Sequence, residues 1–357
     1  MSRYFQNNKN EGNLVVIILI YVFLTGLLVP LKPGIIAAEP STAKCGQELK
    51  MTVKGYNSHF LTAAGQIGAW LKQDEKNALK AVAISPVSEQ ELQLTFDIPA
   101  FLNSKKQVKD FTLILDNPVD GPSVLPSAVF ISQDSINPQM AAAEWQQHSL
   151  TDLHEKSAFN FPFRNILSET IRNTYFHVPQ WFAMLFIFLG GVIYSFFYLK
   201  NGKEEDDLRA AAFTRVGILF GIMGLVTGAI WANYTWGKPW SWDIKQNMTA
   251  IALLIYFAYF VLRSSFDDPE KRARLSAVYN LFAFATLIPL LYVIPRMTDS
   301  LHPGSGGNPA MGGEDLDNTM RMVFYPAIIG WTLVGFWMAN LNFRIEKIRW
   351  GLLQNAD

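Results

Sequence analysis

One cysteine, Cys45, stands in 357 residues. Its isolation excludes an intrachain disulfide framework and any zinc or iron–sulfur centre built on several thiolates. Net charge is missing as well: 30 basic residues balance 30 acidic ones, so no polybasic field directs the chain to nucleic acid. Histidine is scarce, with five in the chain, His59, His148, His154, His177 and His302. No nucleophile or carboxylate pair stands in a hydrolytic arrangement. Mean hydropathy is only +0.14 although half the residues are apolar. That average is too low for a chain immersed in lipid throughout, and it implies two unlike parts.

The apolar part lies mainly in the second half. Trp181–Leu199, Val216–Ala232, Met248–Leu262, Leu275–Ile294 and Met322–Ala339 are apolar on all faces. Each approaches the ~20 residues needed to cross ~30 Å of hydrocarbon as a helix. A sixth run, Leu14–Leu31, follows Arg3 and Lys9 and precedes Ile35-Ile36-Ala37-Ala38. A cleavable signal would need small residues at both A-x-A positions, and Ile36 occupies the first; an uncleaved sixth helix is expected. Orientation follows from the short loops, because Lys and Arg are retained on the cytoplasmic side. One side collects Lys200, Lys203, Arg209, Arg215, Arg263, Lys271, Arg272, Arg274, Arg344, Lys347 and Arg349; the other has only Lys238, Lys245, Arg296 and Arg321. Both termini are therefore expected in the cytoplasm of a multi-pass inner-membrane protein in the lipid bilayer.

Between Cys45 and Ser135 the period changes to two. Leu49–Val53, Leu79–Ile84, Leu92–Phe96 and Phe111–Leu115 alternate, and Val129–Ile131 closes the series. Short strands separated by Asn-Ser, Ser-Pro and Asn-Pro predict an inserted immunoglobulin-like β-sandwich. The expected fold class is thus an all-α polytopic membrane protein of six transmembrane helices carrying that insert. The expected plan is a first helix over 1–38, a β-sandwich over 39–136, a polar linker and interfacial helix over 137–176, and a five-helix membrane domain over 177–357. Within the third of these, Arg164–Tyr175 is expected to lie in the membrane interface through Leu167, Ile171, Thr174 and Tyr175.

Chemistry concentrates in two outer loops. Trp231-Ala-Asn-Tyr-Thr-Trp236-Gly-Lys-Pro-Trp240-Ser-Trp242-Asp243 packs four tryptophans and a tyrosine into one short stretch. An interfacial aromatic belt scatters such residues over many helices, whereas this is one ribbon broken by Gly237 and Pro239. Asp243, with Gln246 three residues on, also reads as a capping box for the next helix. A flat, apolar ligand with a polar edge suits such an aromatic shelf, and haem has that shape. His177 sits at the outer end of one helix, just before Pro179, and His302 in the last outer loop. Two imidazoles from opposite sides of a cleft can ligate iron above and below a ring.

These motifs carry a resemblance. Trp236-Gly-Lys-Pro-Trp240-Ser-Trp242-Asp243 resembles the tryptophan-rich signature of membrane proteins that handle haem during cytochrome c assembly. Tyr-Phe-His177-Val-Pro-Gln-Trp and Leu301-His302-Pro303 are similar to the two histidine motifs of their six-helix branch, haem exporter protein C. The likeness covers Leu14–Leu31 loosely and Arg164 to Asn342 closely. It implies that His177 and His302 ligate the iron of haem b, carried transiently, while Trp236, Trp240, Trp242 and Asp243 form the shelf. It also implies a periplasmic haem chaperone as recipient and ABC-type cytochrome c maturation subunits as partners, with no catalytic residue. The β insert and the glycine-rich loop Ser305–Asp315 depart from the compact pattern. Ile244-Lys-Gln-Asn-Met-Thr mixes in features of the branch that joins haem directly to apocytochrome. A haem lyase is accordingly the alternative, although such proteins carry further histidines within the membrane, and a haem ABC permease subunit is another.

Overall fold

Period-two alternation in the N-terminal half folds as nine strands. The computed structural model describes residues 2–74, 77–137, 145, 150, 153–154, 159–302 and 316–354. These divide into two units, Pro30–Glu169, and Met1–Val29 together with Thr170–Asp357.

In the first unit the strands are β1 Gly34–Glu39, β2 Thr42–Lys44, β3 Glu48–Tyr56, β4 Gly68–Lys72, β5 Ala78–Lys80, β6 Ala83–Ser88, β7 Glu91–Asp97, β8 Val108–Asp116 and β9 Ser123–Ser132. They form two sheets, ordered β1-β3-β7-β6 and β2-β9-β8-β4-β5. Every pairing is antiparallel except β2 with β9. Alternate residues face inward, as the pleat requires: Leu49, Met51 and Val53 from one sheet, and Phe111, Leu113 and Leu115 from the other, share a single buried core. Cys45 packs at its margin, where burial and the Asp134 carboxylate push its thiol up to about 11.

Three sequence expectations are corrected here. Ile35–Ala38 is not the flank of the first helix but strand β1, paired with β3 and burying Ile35. Two isoleucines suit a pleated, half-buried surface better than a helix end. Leu79–Ile84 is not one strand. The Ala81 amide bonds to Ala69 O in one sheet and the Val82 amide to Thr95 O in the other, so the chain crosses between sheets at that point. The stretch read as a polar linker, Asn137–Asn160, lies mostly outside the described residues, His148 among them. Trp145, however, is fully buried in the β core, stacked on Phe111 at 5.0 Å and donating its indole N–H to Phe101 O at 2.9 Å.

The second unit is helical: α1 Ser2–Leu28, α2 Val178–Asn201, α3 Glu204–Trp236, α4 Ile244–Ser264, α5 Pro269–Ile288 and α6 Asn318–Gln354. Five helical segments are long and apolar enough to cross a membrane: Ser168–Asn201, Glu204–Trp236, Ile244–Ser264, Pro269–Arg296 and Asn318–Gly351. The protein is thus a multi-pass membrane protein. The apolar part of α1, Gly12–Leu28, is shorter than these five. Small residues let the helices approach closely. A Cβ on Gly217 would lie 2.5 Å from the Phe188 ring, and one on Gly221 2.4 Å from Leu253.

Polar ties reinforce the packing. Asn280 of α5 donates to Ser195 of α2 at 3.0 Å and to Thr214 of α3 at 3.2 Å. Arg263, closing α4, grips Asp207 in the first turn of α3 with two bonds of 2.6 and 2.5 Å, both side chains being largely buried. The expected interfacial helix over Arg164–Tyr175 is instead a 3-10 turn, Ser168–Arg172, and a single helical turn, Asn173–Phe176. Ile171 and Tyr175 are buried, Tyr175 lying against Gly26 of α1, so their apolar face is covered by protein. At the far end of α5, Pro289 lacks the amide that would continue the helix. A π turn over Pro289–Val293 and a 3-10 turn over Ile294–Arg296 follow, and the chain then runs to Ser300, Leu301 and His302.

Candidate functional site

The C-terminal end of α3 gathers the chemistry. His177 immediately precedes α2, and Pro179 stands in the first turn, where its fixed φ suits a helix start. The His177 ring lies against Gly228 of α3: a Cβ there would fall 2.7 Å from Cε1. Its Nδ1 is 3.0 Å from Thr227 Oγ1. That hydroxyl donates to Met223 O at 2.8 Å, so it accepts from His177 and fixes the proton on Nδ1. Nε2 then accepts the Trp181 indole N–H at 3.1 Å. Indole has no acceptor to offer, which independently assigns the same tautomer.

The second histidine, in the segment after α5, meets α3 one turn further along. His302 packs against Trp231, with ring centroids 5.8 Å apart, and edge-on against Trp236 at 4.7 Å. Thr227 and Trp231 are four residues apart, about 6 Å along the helix axis. Both histidines therefore face one short stretch of α3. The His302 Nδ1 is 2.9 Å from Asp243 Oδ1. A carboxylate accepts, so the proton sits on Nδ1 and Nε2 becomes the lone-pair nitrogen, the arrangement seen around metal-binding histidines.

Asp243 is the hub of this loop. Its carboxylate caps α4 by accepting from the Lys245 amide at 2.9 Å. It also accepts from the Ser300 hydroxyl at 2.8 Å, the Leu301 amide at 2.8 Å and the His302 ring. Burial opposes its charge, yet those donors, His302 foremost, hold the carboxyl well below the usual carboxylate range. Asp243 thus joins the start of α4 to the segment that carries His302. The expected capping box is only half made: Gln246 reaches back to the Ser241 amide and hydroxyl, at 2.9 and 3.2 Å, and not to Asp243.

The tryptophans do not make one flat shelf. Trp236 ends α3, after which Gly237 turns left-handed at φ +73° and bonds to Asn233 O. Trp231 and Trp236 meet at 4.9 Å and 72°, and Trp240 and Trp242 form a second perpendicular pair at 6.3 Å and 89°. Perpendicular pairs satisfy the ring quadrupoles better than a coplanar face. Trp242 is 78% exposed and sits at φ +59°, a region that a bulky residue enters only under strain. Trp181, Thr227 and Ser300 join the site from structure, and Trp231, already in the aromatic ribbon, gains its contact with His302. Trp181 was findable as the residue four places after His177, since i and i+4 share a helical face. Nothing local marked Thr227 or Ser300. Pro303, Gly304 and the glycine-rich loop Ser305–Asp315 lie outside the described residues.

The family model of heme exporter protein C matches residues 157–353, the stretch that holds α2 to α6 and both histidines, and leaves β1–β9 outside. Heme exporter protein C of Paracoccus denitrificans (strain Pd 1222) is 27% identical over 181 residues, spanning 50% of this chain and 72% of the relative. That of Bradyrhizobium diazoefficiens is 30% identical over 183 residues, spanning 50% and 68%. Cytochrome c biogenesis protein CcsA of Parasynechococcus marenigrum (strain WH8102) is 40% identical over 87 residues, spanning 24% and 28%. With more than half of its length matched, the chain belongs to the heme exporter protein C family.

Proposed function

We propose that the protein binds haem at the outer face of the inner membrane, with His177 and His302 as axial ligands, and passes it to a periplasmic haem chaperone. The observation that carries this reading is the pair of oriented imidazoles that meet α3 between Thr227 and Trp236. Each has its Nδ1 proton committed, to Thr227 or to Asp243, which makes Nε2 the ligating nitrogen. Trp231 and Trp236 beside His302 supply apolar contact for the macrocycle, and Trp240 and Trp242 extend it. Haem is cargo here: the histidines hold and orient it, and no residue of the site is positioned as a nucleophile. Haem b is the form proposed, and an ABC-type complex the partner; the relatives are named heme exporter proteins.

In this reading α1 is the sixth span. Its packing supports that: Tyr21 donates to Met322 O at 3.1 Å, and Gly330 of α6 seats Leu19 and Ile18. The excess of Lys and Arg in one set of loops supports both termini inside. The β unit is proposed to be immunoglobulin-like, supported by its strand order, which reads as an A-B-E-D sheet facing a sheet that contains G-F-C.

The likeness to cytochrome c biogenesis protein CcsA favours one second reading, a lyase that attaches haem to apocytochrome itself. Optical spectra of the purified protein, followed by mixing with apo-chaperone or with an apocytochrome peptide, separate the two. Chaperone loading without thioether formation is expected. His177→Ala and His302→Ala should each remain inserted yet lose the low-spin bis-imidazole spectrum, since spin state follows axial ligation. An unaltered spectrum in both variants would place the iron elsewhere.

A further inference from the structure

We propose that Trp181 is a latch on His177, occupying in the haem-free protein the nitrogen that must bind iron and withdrawing as haem arrives. The inference rests on the haem reading above. The Trp181 indole N–H donates to His177 Nε2 at 3.1 Å, and Nδ1 is already held by Thr227. Both ring nitrogens are therefore engaged, and iron can reach His177 only by replacing an indole bond.

The latch is built into α3. A Cβ on Gly224 would lie 2.8 Å from Trp181 Cε2 and Cζ2, and one on Gly228 2.7 Å from His177 Cε1. Two glycines one turn apart thus seat the two rings, with Thr227 between them. At the start of α2 the same two rings are four residues apart and meet edge to face, at 5.8 Å and 85°. Binding exchanges one weak bond for another partner: the N–H···Nε2 bond opens, the Nε2 lone pair goes to iron, and the indole keeps its proton. Neither group changes oxidation state. On haem release the indole re-forms its bond and competes with rebinding, which favours hand-off over retention.

The test measures haem affinity and the rate of haem loss to an excess of apomyoglobin in the full-length protein in detergent. Trp181→Phe removes the N–H and keeps an aromatic ring. It should tighten haem and slow its loss by roughly three- to tenfold, the range for one net hydrogen bond. Thr227→Val should act in the opposite direction, because it frees the Nδ1 proton and disorients the ring. In the haem-free protein the 15N signal of His177 Nε2 should move in Trp181→Phe, as loss of a donor requires. Combined with His177→Ala, Trp181→Phe should no longer alter affinity. Unchanged or weaker binding in Trp181→Phe, in a protein whose spectrum does depend on His177, overturns the latch and leaves the haem reading standing. A spectrum and affinity indifferent to His177→Ala overturn both.

Discussion

At the scale of single residues, Asp243 combines two duties in one carboxylate, capping α4 and holding the segment of His302. Oδ1 accepts from the Lys245 amide and the His302 ring, and Oδ2 from Ser300 and Leu301. Asp243→Asn keeps an N-cap, as Asn and Asp cap comparably, but replaces one acceptor by a donor. Insertion should therefore be normal while haem-loaded chaperone per inserted protein falls about 10- to 100-fold, the usual effect of losing a partner behind a ligating histidine. Equal yields would reduce Asp243 to a helix cap. Trp242 poses a different question, being exposed and held at positive φ. Trp242→Gly relieves a backbone cost of about 1 kcal/mol while deleting the ring. Its melting temperature should not drop, yet its haem retention should. Retention equal to wild type would leave Trp242 a loop residue with a strained backbone.

At the scale of elements, the two ends of α3 do different work. The C-terminal end packs against both histidines, while the N-terminal end is tied to α4 by the Asp207–Arg263 pair. Removing one member of a buried ion pair leaves the other charge uncompensated, which costs on the order of 3–5 kcal/mol. Asp207→Ala should lower thermal stability in detergent accordingly and leave the haem spectrum of the folded fraction intact. A variant as stable as wild type would mean that water or lipid headgroups already solvate Arg263. The break in α5 has the complementary role. Pro289 and Pro295 end regular hydrogen bonding, and the chain leaves the helix in time for Ser300–His302 to reach Asp243. A straight α5 would carry those residues past the start of α4.

At the scale of the whole molecule, orientation is the property on which the proposed function depends. Reporter fusions at Lys203 and Lys271 should behave as cytoplasmic, and fusions at Lys238 as external, because basic loops stay inside. A fusion at Gly306, outside the described residues, should also be external. Reversal at any of these sites would place the histidines on the wrong side for a periplasmic recipient.

Hydropathy determined the five long spans, since an unbroken apolar stretch of that length has few alternatives to a membrane helix. Strict alternation likewise determined most of β3, β7 and β8. Motif chemistry nominated His177, His302, the tryptophans and Asp243, residue types that are rare in this chain or crowded into one loop. Other features had no local signature. Where Ala81 and Val82 leave one sheet for the other depends on which edges lie nearby. Trp145 looks like part of a polar linker until the β core offers Phe111. Only the tertiary structure decided that Asp243 bonds to His302, 59 residues away, and that Thr227 and Trp181 divide the nitrogens of His177. The bonds of His302 to Asp243 and of His177 to Thr227 are long-range, fixed by how the helices pack rather than by any period along the chain, whereas Trp181 follows His177 at i+4.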